Sequence, residues 1–138
     1  MREQRIEPRN TRKSRTPTLG GGGFQSQSAV FEVRREMGSG FLEAVYQECL
    51  AREFLRRDIP FVSQPALALS YKKQVLKQIY VPDFVCFESI IVELKSAREI
   101  APEHRAQVIN YLRATGLRLG LLVNFGDSAK AQVERFIL

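Results

Sequence analysis

Between Ile90 and Asn124 a short apolar segment, a helix and a second apolar segment follow one another, and this order constrains the fold more than any other feature of the chain. Ile90–Lys95 ("IIVELK") and Arg118–Asn124 ("RLGLLVN") read as strands, short and rich in Ile, Val and Leu. Pro102 opens a helix that runs to Thr115, with Gly116 as its C-terminal cap. A helix that links two strands is a crossover, so the pair is expected to be parallel. The chain should therefore form an α/β fold, a mixed sheet flanked by helices.

The rest of the chain fits around that unit. Ala29–Met37 and Phe41–Arg57 read as helices separated by the Gly38-Ser39-Gly40 turn. In the second, Leu42, Val45, Tyr46, Cys49, Leu50 and Phe54 recur at helical spacing. Phe61–Tyr71 and Val75–Phe87 read as strands about a polar turn at Lys72-Lys73-Gln74, and Val133–Leu138 as a final strand. The expected sheet has four to five strands. Residues 1–27 form a basic, Gly/Ser-rich tail, expected to be disordered, in which Gly20–Gly23 reads as a flexible linker rather than a phosphate loop. The folded domain is expected to span 28–138.

Charge and cysteine usage narrow the function classes. The tail carries six basic and two acidic residues; residues 28–138 carry 15 basic and 13 acidic ones. The domain is only mildly basic, so charge alone does not argue for a nucleic-acid partner. A basic tail can touch a phosphate backbone, and a plain solvated extension has the same composition. No apolar run approaches the roughly 20 residues of a membrane helix, and the N-terminus has no apolar core of a signal peptide. Cys49 and Cys86 read as free thiols of a reducing cytoplasm, and a single His argues against zinc.

The chemistry concentrates on one strand. Residues two apart share a face, so Ile90, Val92 and Leu94 fill one side while Ile91, Glu93 and Lys95 share the other. Asp83, behind Pro82, lies among Val81, Val85 and Phe87. Were these strands neighbours, Asp83 and Glu93 would meet, and a divalent cation such as Mg2+ would relieve their repulsion. Lys95, about 7 Å from Glu93, could hold a water or phosphate oxygen beside it. An edge-strand ion pair with Asp83 capping a turn accounts for the same residues. Glu43 falls within the apolar arc of its helix, one turn from Tyr46, and could equally be the third residue of a capping arrangement with Gly40 as N-cap. His104, Gln107 and Tyr111 line one helix stripe.

Together these segments resemble the GxxExxY protein family, a branch of the PD-(D/E)XK nuclease superfamily. Gly40, Glu43 and Tyr46 match the naming motif, Asp83 and Glu93-Leu94-Lys95 resemble the nuclease core, and Gln107 with Tyr111 is similar to the Gln-x-x-x-Tyr motif of RecB-like nucleases. The resemblance covers about Val30 to Leu138. Arg34 and Ser39 stand where family members often have His and Pro. It implies a restriction-endonuclease-like fold and a metal-dependent nuclease acting on nucleic acid, DNA in repair or defence being the first expectation. A binding or accessory protein with an inactive site and an RNA-directed nuclease are the alternatives. The resemblance further implies Mg2+ or Mn2+ held by Asp83, Glu93 and the Leu94 carbonyl, with Glu43 as a further ligand or water-positioning group. Lys95 would activate the attacking water, and Gln107 and Tyr111 would brace the site or touch the substrate. Tyr46 and His104 are accessory candidates, no membrane is involved, and a homodimer is allowed.

Overall fold

A computed structural model describes residues 19–127 and 129–138. Its elements are α1 (Leu19–Met37), α2 (Glu43–Arg56), β1 (Phe61–Ser63), β2 (Leu67–Tyr71), β3 (Gln74–Tyr80), β4 (Phe84–Cys86), β5 (Ile90–Lys95), α3 (Pro102–Thr115), β6 (Leu119–Asn124) and β7 (Gln132–Ile137). Five strands form one sheet in the order β1-β4-β5-β6-β7, and β2-β3 is a separate hairpin. The crossover expectation holds: β5 and β6 pair in parallel, Ile90 against Leu119 through Lys95 against Asn124, and the other pairs of the sheet are antiparallel. This is the mixed α/β sheet with flanking helices that the sequence implied.

The alternation of β5 sorts the core. Ile90, Val92 and Leu94 join Leu121 and Val123 against α1 and α2, where Val30, Val33, Leu50 and Phe54 are buried. Ile91 and Leu122 face the other way and meet Val108 and Leu112 of α3. Close approach there depends on Gly120, since a Cβ at that position would lie 2.8 Å from Val108 Cγ1. No helix among the described residues is long and apolar enough to cross a membrane.

Two long strand expectations are each broken in two. Phe61–Tyr71 is interrupted at Gln64, which has φ of 50°, ahead of Pro65, which lacks a donor for the ladder. Val75–Phe87 is interrupted around Pro82, for the same reason. The breaks let the middle of the segment leave the sheet as the β2–β3 hairpin and return to it.

The larger correction is at the N-terminus. The first helix begins at Leu19 rather than Ala29 and runs through Gly20–Gly23, which composition had marked as a flexible linker. Glycine costs about 1 kcal/mol relative to alanine in a helix, but here it permits contact. A Cβ on Gly22 would lie 3.0 Å from Ile90 Cδ1 and from Phe87 Cδ2, and one on Gly23 would lie 2.7 Å from the Arg135 guanidinium. Packing against the sheet thus overrides propensity over residues 19–27. The remainder of the expected tail lies outside the described residues.

Candidate active site

The site starts from a ladder that stops short. β4 pairs with β5 from Phe84 opposite Val92 to Cys86 opposite Ile90, and that register, continued by one residue, sets Asp83 opposite Glu93. The Asp83 carboxylate takes the place of a strand: its Oδ2 accepts the Leu94 N–H at 2.8 Å. In return the Asp83 N–H donates to Glu93 Oε1 at 3.3 Å. The backbone of Asp83 is fixed from the other side, because its carbonyl accepts the Gln64 N–H at 2.9 Å and Gln47 Nε2 at 3.3 Å. The two carboxylates are therefore neighbours held where the β4–β5 ladder ends.

Glu93 also accepts a short hydrogen bond from the Tyr80 hydroxyl through Oε2. Tyr80, at the end of β3, is 5% exposed, and its ring stacks on Tyr111 of α3 with centroids 3.6 Å apart and planes 4° apart. Burial pushes the Glu93 carboxyl up to about 7; the charge of Asp83 adds to the rise, while the Tyr80 hydrogen bond opposes it. Burial and the Glu93 charge raise the Tyr80 hydroxyl well above the phenol range, so it remains a donor. A half-buried carboxylate beside a second one gains from a proton or a cation.

Lys95 follows Glu93 on the same face of β5 by strand alternation and is half-buried. Its carbonyl accepts the Phe125 N–H at 2.9 Å, so residue 95 directs its backbone groups toward β6. Residue 94 is turned the other way, which directs the Leu94 carbonyl to the side where its N–H meets Asp83. Two carboxylates and this carbonyl form an all-oxygen donor set, the kind that suits Mg2+ or Mn2+. Among the described residues, no cluster of three or more His, Cys, Asp or Glu side chains accompanies them, so further ligands would be backbone oxygen or water.

The helices present the other candidates in two cavities whose linings include neither Asp83 nor Glu93. Gln107, Tyr111 and His104 line one cavity of about 550 Å3 with Glu103 and Asn110, and neither Asp83 nor Glu93 lines it. Tyr111 is linked to Glu93 through Tyr80, on which its ring stacks. His104 Nδ1 accepts the Ala101 N–H at 3.1 Å and thereby caps α3. Glu43 lines a second cavity, of about 530 Å3, with Ser39, Ser96 and Arg98. It is the first residue of α2, whose N-cap is Leu42, so the expected capping arrangement from Gly40 is absent. What presents it is the loop before it. Gly40 takes a φ of 104°, the Tyr46 hydroxyl donates to the Gly38 carbonyl at 2.6 Å and accepts the Phe41 N–H at 3.3 Å, and Ser96 Oγ donates to the Phe41 carbonyl at 2.7 Å. Tyr46 is fully buried and stacks on Phe125 at 4.4 Å. It ties the loop that carries Glu43.

A sequence profile of the PD-(D/E)XK nuclease superfamily matches residues 24–136. The chain belongs to this superfamily. No curated protein and no solved structure gives a significant match. PD-(D/E)XK nucleases generally use divalent metals such as Mg2+, and the oxygen donors of Asp83, Glu93 and Leu94 fit such a cation. Seen as a PD-(D/E)XK site, the arrangement also has parts that motif spacing did not show. Tyr80 lies in a segment that reads as plain strand, and its role depends on the break at Pro82. Gln47 stands one turn after Glu43, a spacing that places both on one helix face. Asn124, fully buried, accepts the Ala97 and Gly126 N–H groups at 3.0 Å each and donates to the Ala97 carbonyl at 2.9 Å. It pins the turn that follows Lys95. Gly126 allows this, since a Cβ there would lie 2.3 Å from the Ala97 carbonyl oxygen.

Proposed function

We propose that the protein is a metal-dependent nuclease of the GxxExxY branch that hydrolyses phosphodiester bonds of DNA. The observation that carries this is the pairing of Asp83 with Glu93 at the end of the β4–β5 ladder, with Lys95 next on the Glu93 face. Asp83, Glu93 and the Leu94 carbonyl would hold Mg2+ or Mn2+. When bound, the cation would supply charge neutralisation at the phosphate and a lower pKa for water.

The residues of the chain divide the remaining work. Asp83 is oriented by the Leu94 N–H, and Glu93 by the Tyr80 hydroxyl and the Asp83 N–H. Both acids are thus oriented by hydrogen bonds before substrate arrives, which limits the reorganisation needed. The Lys95 ammonium would orient the attacking water and offset negative charge that develops on the phosphoryl oxygens. Glu43, presented at the first turn of α2, would hold water at the border of the site. Tyr111 braces Tyr80 through the ring stack, and Gln107, exposed on the same helix, is available to the substrate backbone.

The decisive measurement is cleavage of end-labelled duplex DNA, single-stranded DNA and RNA with Mg2+, Mn2+ or EDTA. Metal-dependent cleavage that is lost in Lys95→Ala, with Mn2+ binding retained by calorimetry, is the expected result. Equal cleavage by the parent and Lys95→Ala, or none in any metal, defeats the proposal.

A further inference from the structure

We propose that the β2–β3 hairpin is a DNA-binding arm, a two-stranded ribbon that enters the major groove of duplex DNA with Lys72, Lys73 and Lys77 at the phosphates. The nature of the partner rests on the nuclease reading; the surface rests on the hairpin itself.

Charge is the first support. From Ile59 to Pro82 the charged residues are Lys72, Lys73 and Lys77, all basic. The rest of residues 28–138 holds 12 basic and 13 acidic side chains, so the positive excess of the domain resides in this one projection. A second copy of the chain would oppose like charges at close range, whereas phosphates complement them.

The turn supplies the second support. Tyr71 pairs with Gln74, which leaves Lys72 and Lys73 as a two-residue turn, with φ of 49° and 67°. Such turns need positive φ at both positions and favour Asn-Gly. Lysine there is strained at each residue, and strain of this kind collects at functional sites. The Lys72 ammonium lies 5.4 Å from the centroid of the Tyr71 ring, itself 63% exposed.

Shape is the third. All residues from Tyr71 to Ile79 are exposed, and Val75, Lys77 and Ile79 lie together on β3 where its pairing with β2 shifts register between Ser70–Val75 and Ala68–Ile79. A ribbon of two strands fits the major groove of B-form DNA, where apolar side chains meet thymine methyl groups; the narrow major groove of an RNA duplex does not admit it. β3 ends at Tyr80, bonded to Glu93. DNA gripped by the arm is therefore delivered beside the carboxylates.

The test uses the full chain, with EDTA to prevent cleavage. Fluorescence anisotropy with a labelled DNA duplex, over a series of salt concentrations, compares the parent with Lys72→Asn/Lys73→Gly. That double variant removes both charges and installs the favoured turn, so its fold is retained. Its affinity should fall about tenfold or more, and its log–log salt slope should flatten by roughly 1.8, at 0.9 per phosphate contact. Lys77→Gln should flatten the slope by about half as much. Val75→Thr/Ile79→Thr should weaken duplex binding at an unchanged slope, and Arg56→Ala on α2 should change nothing. Parental affinity and slope in the lysine variants overturn the proposal. So does equal weakening with duplex RNA or single-stranded DNA, which would make the arm a general phosphate contact. A parent dimer that Val75→Thr/Ile79→Thr dissociates would make the face a self-association surface and also overturn it. The two readings separate cleanly: lysine-dependent duplex binding without cleavage in any divalent metal sinks the nuclease reading and keeps the arm, while cleavage by a parent whose lysine variants bind normally does the reverse.

Discussion

β6 and β3 are neighbours in neither space nor character. All six residues of β6 are buried, clamped between β5 and β7 with helices on both faces. Of the seven residues of β3, only Tyr80 is buried. β6 has Leu or Val at four of its six positions, and β3 sets Gln74, Lys77 and Gln78 among Val75, Leu76 and Ile79, so composition separates them only in part. What separates them is the sheet each can join: β6 closes a parallel pair under α3, whereas β3 is cut from the main sheet by the break at Pro82 and pairs only with β2. Apolar sequence gives a scaffold in one case and an outward surface in the other. The candidate site lies at the seam, where Tyr80 at the foot of the hairpin meets Glu93 on the central strand.

The contrast can be broken most directly in the core. Leu121→Ala removes a fully buried side chain of β6 and should cost about 2–5 kcal/mol of stability in urea unfolding. A loss near zero would mean that the sheet is not the rigid half. Next in size is the seam itself. Lys95→Ala should lower cleavage by about two powers of ten while melting within a few degrees of the parent. An equally large fall in stability would make Lys95 a structural residue.

Smaller effects sharpen the seam. Tyr80→Phe keeps the stack on Tyr111 and removes the hydrogen bond to Glu93, so stability should fall by about 1 kcal/mol. Carbon-detected NMR titration should then show the Glu93 carboxyl moving higher still, because the hydrogen bond that holds it down is gone. The parent has a pH signature of its own. A carboxyl raised from 4.5 to about 7 binds its proton more tightly in the folded state. Its contribution to stability is present below pH 4.5 and is lost as pH rises through about 7. Unfolding of metal-free protein across that window should show the fall, and Glu93→Gln should flatten it. The smallest effect belongs to the hairpin: Val75→Thr should change stability by no more than about 0.5 kcal/mol, as an exposed position should.

The strand–helix–strand order was enough to establish the parallel pair, and the alternation of Ile90–Lys95 was enough to sort its two faces. Asp83 and Glu93 were legible as a pair because strand adjacency brings them opposite each other whichever way the hairpin lies. The tyrosine between α3 and Glu93 was not, since Tyr80 gains its role from a chain break rather than from a pattern. Glycines 20–23 misled for a related reason: local propensity speaks for a linker, and only the distant Phe87, Ile90 and Arg135 make a close helix contact worthwhile. For Glu43, the Gly40 turn suggested an N-cap three residues away, but the helix begins at Glu43 itself, and Tyr46, Phe41 and Ser96 hold the loop instead.

The glycine-lined start of α1 also bears on how the molecule opens. A helical turn without side chains has little reason to persist once its surface is lost, so residues 21–23 should be helical only while docked on the sheet. Amide hydrogen exchange would then divide one continuous helix into two cooperative units. The amides around Ala29, Val30 and Val33, anchored in the core, should exchange with global unfolding, and those of the glycine segment through a far cheaper local opening. Each such opening would uncover Ile90 and Phe87 without disturbing the carboxylates at the other end of β5.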